Sequence, residues 1–326
     1  MSRELEHGGA PTTDAARLHL TVLREEAVDA LEVRAGGHYA DATLGLGGHT
    51  ELLLERSGPD GRVLGVDRDP DALALARARL ARFGDRATLV EGSFSSLPAL
   101  AADAGFLPLD GIVADLGVSS IQLDRADRGF SFARRGPLDM RMGPSVGGDV
   151  GALLDTSTPE SLAALLAEYG EVERPRRVAD AILEARRAGT LVDTDTLRVA
   201  VERALGHGRP GKIHPATLVF QALRIAVNRE LDELDALLAA LPSLLKPGGR
   251  VAIISFHSLE DRRVKQAFRD ADIAPELASL PIERPTGPLR AISRRAIVPG
   301  DDEVRDNPRA RSAKLRVAER RIKEGT

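Results

Sequence analysis

The segment Asp41-Ala-Thr-Leu-Gly-Leu-Gly-Gly-His49 lies between a short strand-like stretch and a helix-like stretch. Glycines at 45, 47 and 48 let the backbone turn sharply and approach a ligand closely, which a side chain would prevent. Twenty residues after Gly47, Asp67 ends the next predicted strand and can accept hydrogen bonds from both hydroxyls of an adenosine ribose. The pattern predicts a site for an adenosine-containing cofactor that uses Gly45, Gly47, Gly48 and Asp67.

Outward from this segment, strand-like and helix-like stretches alternate. The βαβα order predicts a parallel sheet with helices on both faces. Two late strand candidates, Ala291–Val298 and Ala313–Ala318, are predicted to pair as an antiparallel hairpin at the sheet edge. The four early strand candidates are His38–Ala42, Arg62–Asp67, Thr88–Glu91 and Asp110–Asp115.

The alternation stops after Ser120, and the next ninety or so residues show helical stretches without a convincing strand. We predict a helical domain inserted at 123–213. A loose leader is expected at 1–17, and the cofactor-binding domain is expected to be discontinuous, at 18–122 and 214–326. The sheet pattern resumes with a long amphipathic helix from Pro215 to about Leu241 and a strand after Leu245.

Two cofactors contain adenosine and fit this pattern, a nicotinamide dinucleotide and S-adenosylmethionine. The loop is not a complete Gly-x-Gly-x-x-Gly, which weakens the case for a pyrophosphate at the helix N-terminus. A late strand after Leu-Lys-Pro-Gly-Gly-Arg250, followed by a terminal hairpin, is typical of a seven-stranded methyltransferase sheet. The balance favours S-adenosylmethionine.

Two further residues are candidates for this site. Asp115 ends the fourth predicted strand, and ligands of open parallel sheets bind beyond the carboxyl ends of the strands. The alternative for Asp115 is a turn or helix cap. Phe94 follows the third strand and could cover an adenine, although a core phenylalanine fits the spacing equally well.

Composition narrows the function without deciding it. The chain has 326 residues, no cysteine and a net charge of −4, so disulfides and thiolate metal sites are excluded. Neither a secretory signal nor a membrane-spanning stretch is visible, and a cytoplasmic protein is expected. Two basic runs, from Arg125 to Arg141 and from Arg284 to Thr326, are either phosphate-binding patches or ordinary surface charge.

Several long strings resemble the bacterial MraW/RsmH methyltransferases over roughly residues 19–320. They are His19-x-x-Val22-Leu23, Asp41-x-Thr-x-Gly-x-Gly-Gly-His-Thr50, Asp67-Arg-Asp-Pro70, Asp115-Leu-Gly-Val-Ser-Ser-x-Gln-Leu-Asp124, Arg128-Gly-Phe-Ser-Phe132, Gly136-Pro-Leu-Asp-Met-Arg-Met142, His214-Pro-Ala-Thr217, Phe220-Gln-Ala-Leu-Arg-Ile225, Ser255-Phe-His-Ser-Leu-Glu-Asp-Arg262 and Asn307-Pro-Arg-Ala-Arg-Ser312. Two positions depart from the family pattern: Ile121 replaces the usual Pro, and Leu218 replaces an expected Arg.

The resemblance implies a class I (Rossmann-like) seven-stranded methyltransferase sheet with an inserted helical domain that helps to hold RNA. It implies transfer of a methyl group from S-adenosylmethionine to N4 of a cytosine in the decoding region of 16S ribosomal RNA. The small ribosomal subunit is the expected partner, and a homodimer is left open. The implied cofactor contacts are Gly47, Gly48, His49, Asp67, Phe94, Asp115 and Gln122.

Three rival functions remain: a DNA amino-methyltransferase, a nicotinamide-dependent oxidoreductase and a non-catalytic RNA-binding module. For an amine methyltransferase, Asp115 is the candidate acceptor of a hydrogen bond from the reacting N4. The Asp/Asn-Pro-Pro-aromatic motif of many amine methyltransferases is absent, however. No metal site is expected.

The segment around His257 allows two interpretations. Ser258 and Asp261 have the spacing of a helix cap, which we favour, while His257 facing the substrate pocket is the alternative.

Overall fold

A seven-stranded sheet forms the centre of the computed structural model, which describes residues 20–144, 146–208, 211–270, 287–292 and 295–322. The predicted leader lies outside these described residues. The strands are β1 His38–Asp41, β2 Arg62–Asp67, β3 Ala87–Glu91, β4 Leu109–Asp115, β5 Leu245–Ser255, β6 Leu289–Ala291 and β7 Lys314–Arg320.

The strand order is β3-β2-β1-β4-β5-β7-β6. Strands β1 to β5 pair in parallel, and β7 is antiparallel to both β5 and β6. The chain first builds outward from β1 to β3 and then returns to the other side of β1 with β4. This reversal opens a crevice at the carboxyl ends of β1 and β4. The order and the single reversed strand confirm the predicted class I methyltransferase sheet.

Thirteen helices accompany the sheet in the described ranges. They are α1 Arg24–Ala30, α2 Gly48–Arg56, α3 Pro70–Leu80, α4 Leu97–Asp103, α5 Ser120–Asp124, α6 Val150–Thr156, α7 Pro159–Gly170, α8 Pro175–Arg187, α9 Thr194–Leu205, α10 Pro215–Asn228, α11 Glu230–Leu244, α12 Ser258–Asp270 and α13 Asp301–Asp306. None of these helices combines the length and the apolar character needed to cross a membrane.

Apolar side chains bury both faces of the sheet. Helices α1, α2 and α3 pack on one face, where Leu23, Leu53 and Leu73 are fully buried beside the strand residue Val113. Helices α4, α11 and α12 pack on the other face through residues such as Leu237. Each buried Leu contributes about 2 kcal/mol of transfer free energy, so the two layers hold the strand ends in fixed positions.

Helices α6 to α10 form a third core of their own, which we call the helical cluster. Its centre contains Leu162, Ile182 and Leu197, all without exposed surface. The sequence predicts helical stretches at 159–169, 174–188 and 194–205, and α7, α8 and α9 begin and end within one residue of them, whereas α6 was not predicted. Leu218, one of the two departures from the family pattern, is partly buried against this cluster.

The long helix predicted from Pro215 to Leu241 is wrong. Arg229 adopts a left-handed conformation with φ 52° and divides the segment into α10 and α11. The first half packs on the helical cluster through Val219 and Leu223, and only the second half covers the sheet. The cluster therefore takes in a helix beyond the predicted boundary at 213.

The predicted terminal hairpin needs a correction as well. Strand β7 agrees with the candidate at 313–318, but the candidate Ala291–Val298 overlaps β6 only at Ala291. Later in that candidate, Ile297 forms an isolated bridge with Leu315. Because β7 inserts between β5 and β6, the reversed strand is internal, and its ladder is satisfied on both sides.

We predict that Gly170→Ala destabilises the helical cluster. A Cβ at this position would lie 2.6 Å from the carbonyl oxygen of Leu218 and 3.1 Å from Cβ of Ala222, so α7 and α10 would have to separate. Overpacking of this kind costs about 1–3 kcal/mol. Urea unfolding should show this loss, whereas Gly147→Ala, with open space around the glycine, should stay within about 0.5 kcal/mol of the wild type. Equal stabilities for the two variants would contradict the close packing.

Candidate functional site

A cavity of about 460 Å³ opens at the carboxyl ends of β1, β2, β4 and β5. This is the crevice that the reversal of strand order creates. The volume lies in the range that accommodates a drug-sized ligand. Seven of the eight predicted site residues line it, namely Gly45, Gly48, His49, Asp67, Phe94, Asp115 and Gln122.

The glycine turn is fastened to the end of β2. The Gly45 N–H donates to Oδ2 of Asp67 at 2.8 Å, and the Asp69 N–H donates to Oδ1 at 2.9 Å. A carboxylate has about four acceptor positions, so both oxygens keep capacity for the two hydroxyls of a ribose. Burial, opposed by these two N–H donors, raises the pKa of Asp67.

Gly47 and Gly48 are needed for different reasons. Gly47 has φ 78° and precedes α2; it does not line the cavity, and its N–H closes the turn onto the Leu44 carbonyl at 2.8 Å. Gly48 lines the cavity beside Thr21, and a Cβ there would lie 1.8 Å from Oγ1 of Thr21. The first glycine shapes the turn, and the second leaves room for the chain segment that crosses it.

That segment, Leu20–Leu23, contributes Leu20, Thr21 and Val22 to a wall of the cavity, which the sequence did not reveal. The buried His49 holds it through Nε2, which lies 3.2 Å from the Val22 carbonyl oxygen. Residues near the other end of the chain hold it too: the Leu23 N–H donates to Glu303 at 2.7 Å, and Asn307 donates to the Leu20 carbonyl at 3.1 Å. His49 thus acts on the cavity wall.

Asp115 lies at the end of β4, where its backbone N–H donates to Oγ1 of Thr43 at 2.6 Å. Its Oδ1 is shielded from solvent and has no hydrogen-bond partner in the described part of the chain. Burial and then the negative charges of Asp41, Glu260 and Glu303 raise the pKa of Asp115 well above its usual value. A partly buried carboxyl with an unused oxygen in a cavity fits a ligand-binding role better than a turn cap.

Asp41 stabilises the end of β4 around Asp115 through Thr43. It is fully buried at the end of β1 and accepts hydrogen bonds from Thr50 Oγ1 at 2.8 Å and from the Thr43 N–H at 3.3 Å. Burial, against these hydrogen bonds, raises the pKa of Asp41 to about 6. Thr43 therefore links the two strand ends, since its N–H meets Asp41 and its hydroxyl meets Asp115.

Phe94 and Gln122 differ in their freedom to contact a ligand. Phe94 is half-buried at the cavity, with the Arg68 guanidinium 5.9 Å from its ring centre. The buried Gln122 uses its amide within the protein: its oxygen accepts from the Ser119 N–H at 3.1 Å, and its Nε2 donates to Asp69 at 2.9 Å. Gln122 thereby fixes Asp69, which also pairs with Arg128 at 2.9 Å.

A charged cluster, not predicted from the sequence, closes the end of the cavity near β5. Arg224 forms a two-point ion pair with Glu230, at 2.8 and 2.9 Å, and His257 lies 3.1 Å from Glu260. Three side chains each offer a potential metal-ligand atom within 4.8 Å of the other two, a spacing that could suit a metal ion. They are Glu230, His257 and Glu260. Both oxygens of Glu230 already face the Arg224 guanidinium, however, so the cluster contains its own cation and we assign no metal to it.

The predicted cap at the start of α12 is wrong. Asp261 pairs with Arg316 at 2.7 Å and with Lys314 at 3.3 Å, on β7. The capping carboxylate is Glu260, which accepts from the Phe256 N–H at 2.9 Å. His257 lines the cavity, and its role towards a substrate stays a prediction.

The basic run from Arg125 to Arg141 is largely neutralised within the protein. Arg125 pairs with Asp71 and Asp127, Arg128 with Asp69, Arg135 with Asp193 and Arg141 with Asp139. Arg134 donates to the Asp124 carbonyl. These pairs weaken the case for this run as a phosphate-binding patch.

Comparisons with known proteins agree with this geometry. The family model described as the MraW methylase family matches residues 16–321. The ribosomal RNA small subunit methyltransferase H of Sorangium cellulosum is 50% identical over 310 residues, covering 95% of this chain and 93% of that protein. The proteins of the same name from Magnetococcus marinus and Dehalococcoides mccartyi are 49% and 47% identical, over 93% and 94% of this chain and 98% and 88% of theirs.

We predict that Gly48→Ala weakens binding of S-adenosylmethionine by about tenfold or more while the fold survives. The added methyl must displace Thr21, and with it the cavity wall formed by Leu20–Leu23. A loss of about 1.4 kcal/mol corresponds to tenfold in affinity, which calorimetric titration would measure. Gly147→Ala is the matched control, since Gly147, like Gly48, has no positive φ but no atom lies within 4 Å of the added Cβ. Unchanged affinity in Gly48→Ala would show that the wall does not shape the site.

We also predict that Asp115→Asn stabilises the fold at alkaline pH. The raised pKa means that the folded protein disfavours the ionised form, so this penalty is complete above the raised pKa and absent below the unfolded value of about 4. Thermal unfolding at pH 8 should give a Tm higher by about 2 °C or more, and the gain should fade as the pH approaches about 4.

Asp127→Asn is the control for this measurement, because the hydrogen bond with Arg125 lowers the pKa of Asp127. That variant should gain no stability at any pH. A Tm for Asp115→Asn that stays below the wild-type value at pH 8 would contradict the burial of an unpaired carboxylate.

Proposed function

Because the chain belongs to the MraW methylase family, we propose that it transfers a methyl group from S-adenosylmethionine to the exocyclic N4 of a cytosine in the decoding region of 16S ribosomal RNA. The single observation that supports this best is Oδ1 of Asp115, which is shielded from solvent, has no hydrogen-bond partner among the described residues and belongs to a side chain that lines a donor-sized cavity. We place the reaction in the cytoplasm, on the small ribosomal subunit or its RNA.

The residues of the cavity suit the ribose and the adenine of the methyl donor. Asp67 offers two carboxylate oxygens to the ribose hydroxyls, and the ring of Phe94 offers an apolar surface to the adenine. The turn around Gly45 brings backbone to the middle of the cavity without a side chain in the way. S-adenosylmethionine supplies a methyl carbon that its sulfonium activates for attack by a nucleophile.

Asp115 would act on the acceptor. The N4 of cytosine is a poor nucleophile, because its lone pair is delocalised into the ring. A carboxylate that accepts a hydrogen bond from the amine localises that lone pair and aligns the nitrogen with the methyl carbon. Burial already disfavours the ionised carboxylate, so a hydrogen bond from N4 would satisfy an oxygen that no other described residue satisfies.

We propose that the helical cluster helps to hold the RNA. It lies beside the cavity, and Thr217 and Gln221 of α10 contribute to the wall. The target base must leave its stack or be single-stranded to enter. Since α10 packs on the cluster, we extend the inserted unit from the predicted limit at 213 to about Asn228.

The relatives argue against the rival functions. All three are named as methyltransferases of small-subunit ribosomal RNA, which favours RNA over DNA and a methyl donor over a nicotinamide. The two matches cover 93% and 98% of the relatives' own length. A non-catalytic RNA-binding role would leave the unpaired Asp115 oxygen without a purpose.

The test is to incubate the protein with radiolabelled S-adenosylmethionine and either naked 16S RNA, small subunits or duplex DNA, and to identify the labelled nucleoside by mass spectrometry. We expect N4-methylcytidine from one of the RNA substrates. Label in DNA alone would support a DNA methyltransferase instead, and failure to bind the donor or its demethylated product would refute the proposal.

Asp67→Ala is the matching variant. The variant loses the two hydrogen bonds that the ribose hydroxyls would donate to the carboxylate. This loss should weaken binding of S-adenosylmethionine by about 10- to 100-fold, with activity restored in part at a high concentration of S-adenosylmethionine. Asp60→Ala, an exposed acid in the turn before β2, should bind and react as the wild type does. Wild-type donor affinity in Asp67→Ala would show that this carboxylate does not hold the ribose.

A further inference from the structure

His257 has an unusual position among the histidines of the described chain. It lies two residues after the end of β5 and lines the same cavity as Asp115. Its side chain is only 11% exposed, and both ring nitrogens are shielded from solvent and make no directed hydrogen bond to any residue that the structure describes. A buried polar group without a partner costs about 1–3 kcal/mol, so it requires an explanation.

Glu260 gives the imidazole an orientation. Its Oε1 lies 3.1 Å from Nε2 of His257, a separation typical of an ion pair, although the atoms are not aligned for a hydrogen bond. Its Oε2 accepts from the N–H groups of Phe256 at 2.9 Å and His257 at 3.4 Å. Although burial opposes ionisation, the His257 side chain, the Phe256 N–H and the Arg224 charge lower the pKa of Glu260, which therefore remains a carboxylate.

We propose that His257 is the proton acceptor of the methyl transfer and that Glu260 is its positioning residue. This inference rests on the proposed function. A carboxylate next to Nε2 favours the tautomer with the proton on that nitrogen, which leaves the lone pair of Nδ1 to accept a proton. An imidazole that is paired with a carboxylate is a recurrent solution for general base catalysis.

The methyl transfer conserves atoms and charge. The lone pair of N4 forms a bond to the methyl carbon while the carbon–sulfur bond breaks, and its electron pair stays on sulfur as a thioether. N4 then has a positive charge and one hydrogen more than the neutral product. That proton passes to Nδ1 of His257, and the resulting imidazolium lies next to the Glu260 carboxylate.

The charges around His257 favour this transfer. Glu260 faces the ring directly, and the carboxyl of Asp115 is near enough for the charge of Glu260 to raise its pKa. The one cation of this cluster in the described residues, Arg224, is held by both oxygens of Glu230. A positive charge that forms on the imidazole is thus met by negative charge at low dielectric.

Asp115 and His257 then have separate tasks. Asp115 accepts a hydrogen bond from the amine before transfer and orients it, while His257 removes the proton after the new bond has formed. Two acceptors are needed because N4 of cytosine has two hydrogens, and one of them remains on the methylated product.

The experiment measures single-turnover methyl transfer to the RNA substrate by His257→Ala and His257→Gln, with and without added imidazole. We expect the rate constant to fall by about 100-fold or more in both variants. The affinity for S-adenosylmethionine should stay within about threefold of the wild type. Imidazole at millimolar concentration should restore part of the rate in His257→Ala, because the truncated side chain leaves space for it. His207→Ala, at a side chain that is 84% exposed, is the matched control and should react at the wild-type rate.

Glu260→Gln tests the positioning residue. The amide oxygen can still accept from the Phe256 N–H, so the start of α12 is kept while the charge is lost. We expect kcat to fall by about tenfold with the KM for RNA unchanged, since the charge acts on the imidazole during proton transfer and not on the binding of RNA. A rise in KM with kcat unchanged would indicate a structural role only and would overturn the assignment of Glu260.

Several results would overturn the role of His257. These are a near-normal rate in both His257 variants, or a slow rate that imidazole does not improve although donor affinity is retained. If His257→Ala fails to fold, as circular dichroism would show, the larger His257→Gln decides by its rate. If the wild-type protein binds the donor and transfers no methyl group to RNA, the proposed function fails and this inference fails with it.

Discussion

The hydrogen bond from the Gly45 N–H to the Asp67 carboxylate is the contact on which the rest of the site depends. It joins the turn after β1 to the end of β2, and it fixes the carboxylate before any ligand arrives. Only glycines permit the turn, since Gly45 and Gly47 have φ 51° and 78° and Gly48 has no room for a Cβ. The Leu20–Leu23 wall, His49 and the start of α2 all take their positions from this turn.

The site concentrates carboxyl groups where the fold is least able to ionise them. Asp41, Asp67 and Asp115 end three neighbouring parallel strands, and burial raises the pKa of each. Such a group reduces the stability of the fold at neutral pH, so its presence requires a functional reason. Asp41 is satisfied by Thr50, and Asp67 by two backbone N–H groups, whereas Oδ1 of Asp115 has no partner in the described residues. That difference is the reason that we propose Asp115, and not Asp41 or Asp67, as the residue that orients the reacting amine.

The sequence predicted the parts of the site that are local in the chain. A strand, a glycine turn and an acid at the next strand end give a recognisable pattern, because each element constrains only its neighbours. The wall at Leu20–Leu23 depends on Glu303, 280 residues away, and no pattern connects them. The pair of Arg224 and Glu230 spans a break at Arg229, where a non-glycine residue adopts φ 52° without any Gly or Pro to mark it. These features depend on tertiary packing, which the sequence pattern does not record. The helical periodicity therefore predicted one helix that continued through Arg229.

Helix α10 gives a physical link between the two halves of the molecule. One of its faces is buried in the helical cluster through Val219 and Leu223, and another presents Gln221 and Arg224 to the cavity. At its end, Asn228 accepts from the Met142 N–H and donates to the Met140 carbonyl, both at 2.8 Å. A helix anchored at both faces and at its end cannot shift relative to the cavity without breaking these contacts. If the helical cluster holds the RNA as proposed, α10 therefore fixes the distance between the bound strand and the methyl donor.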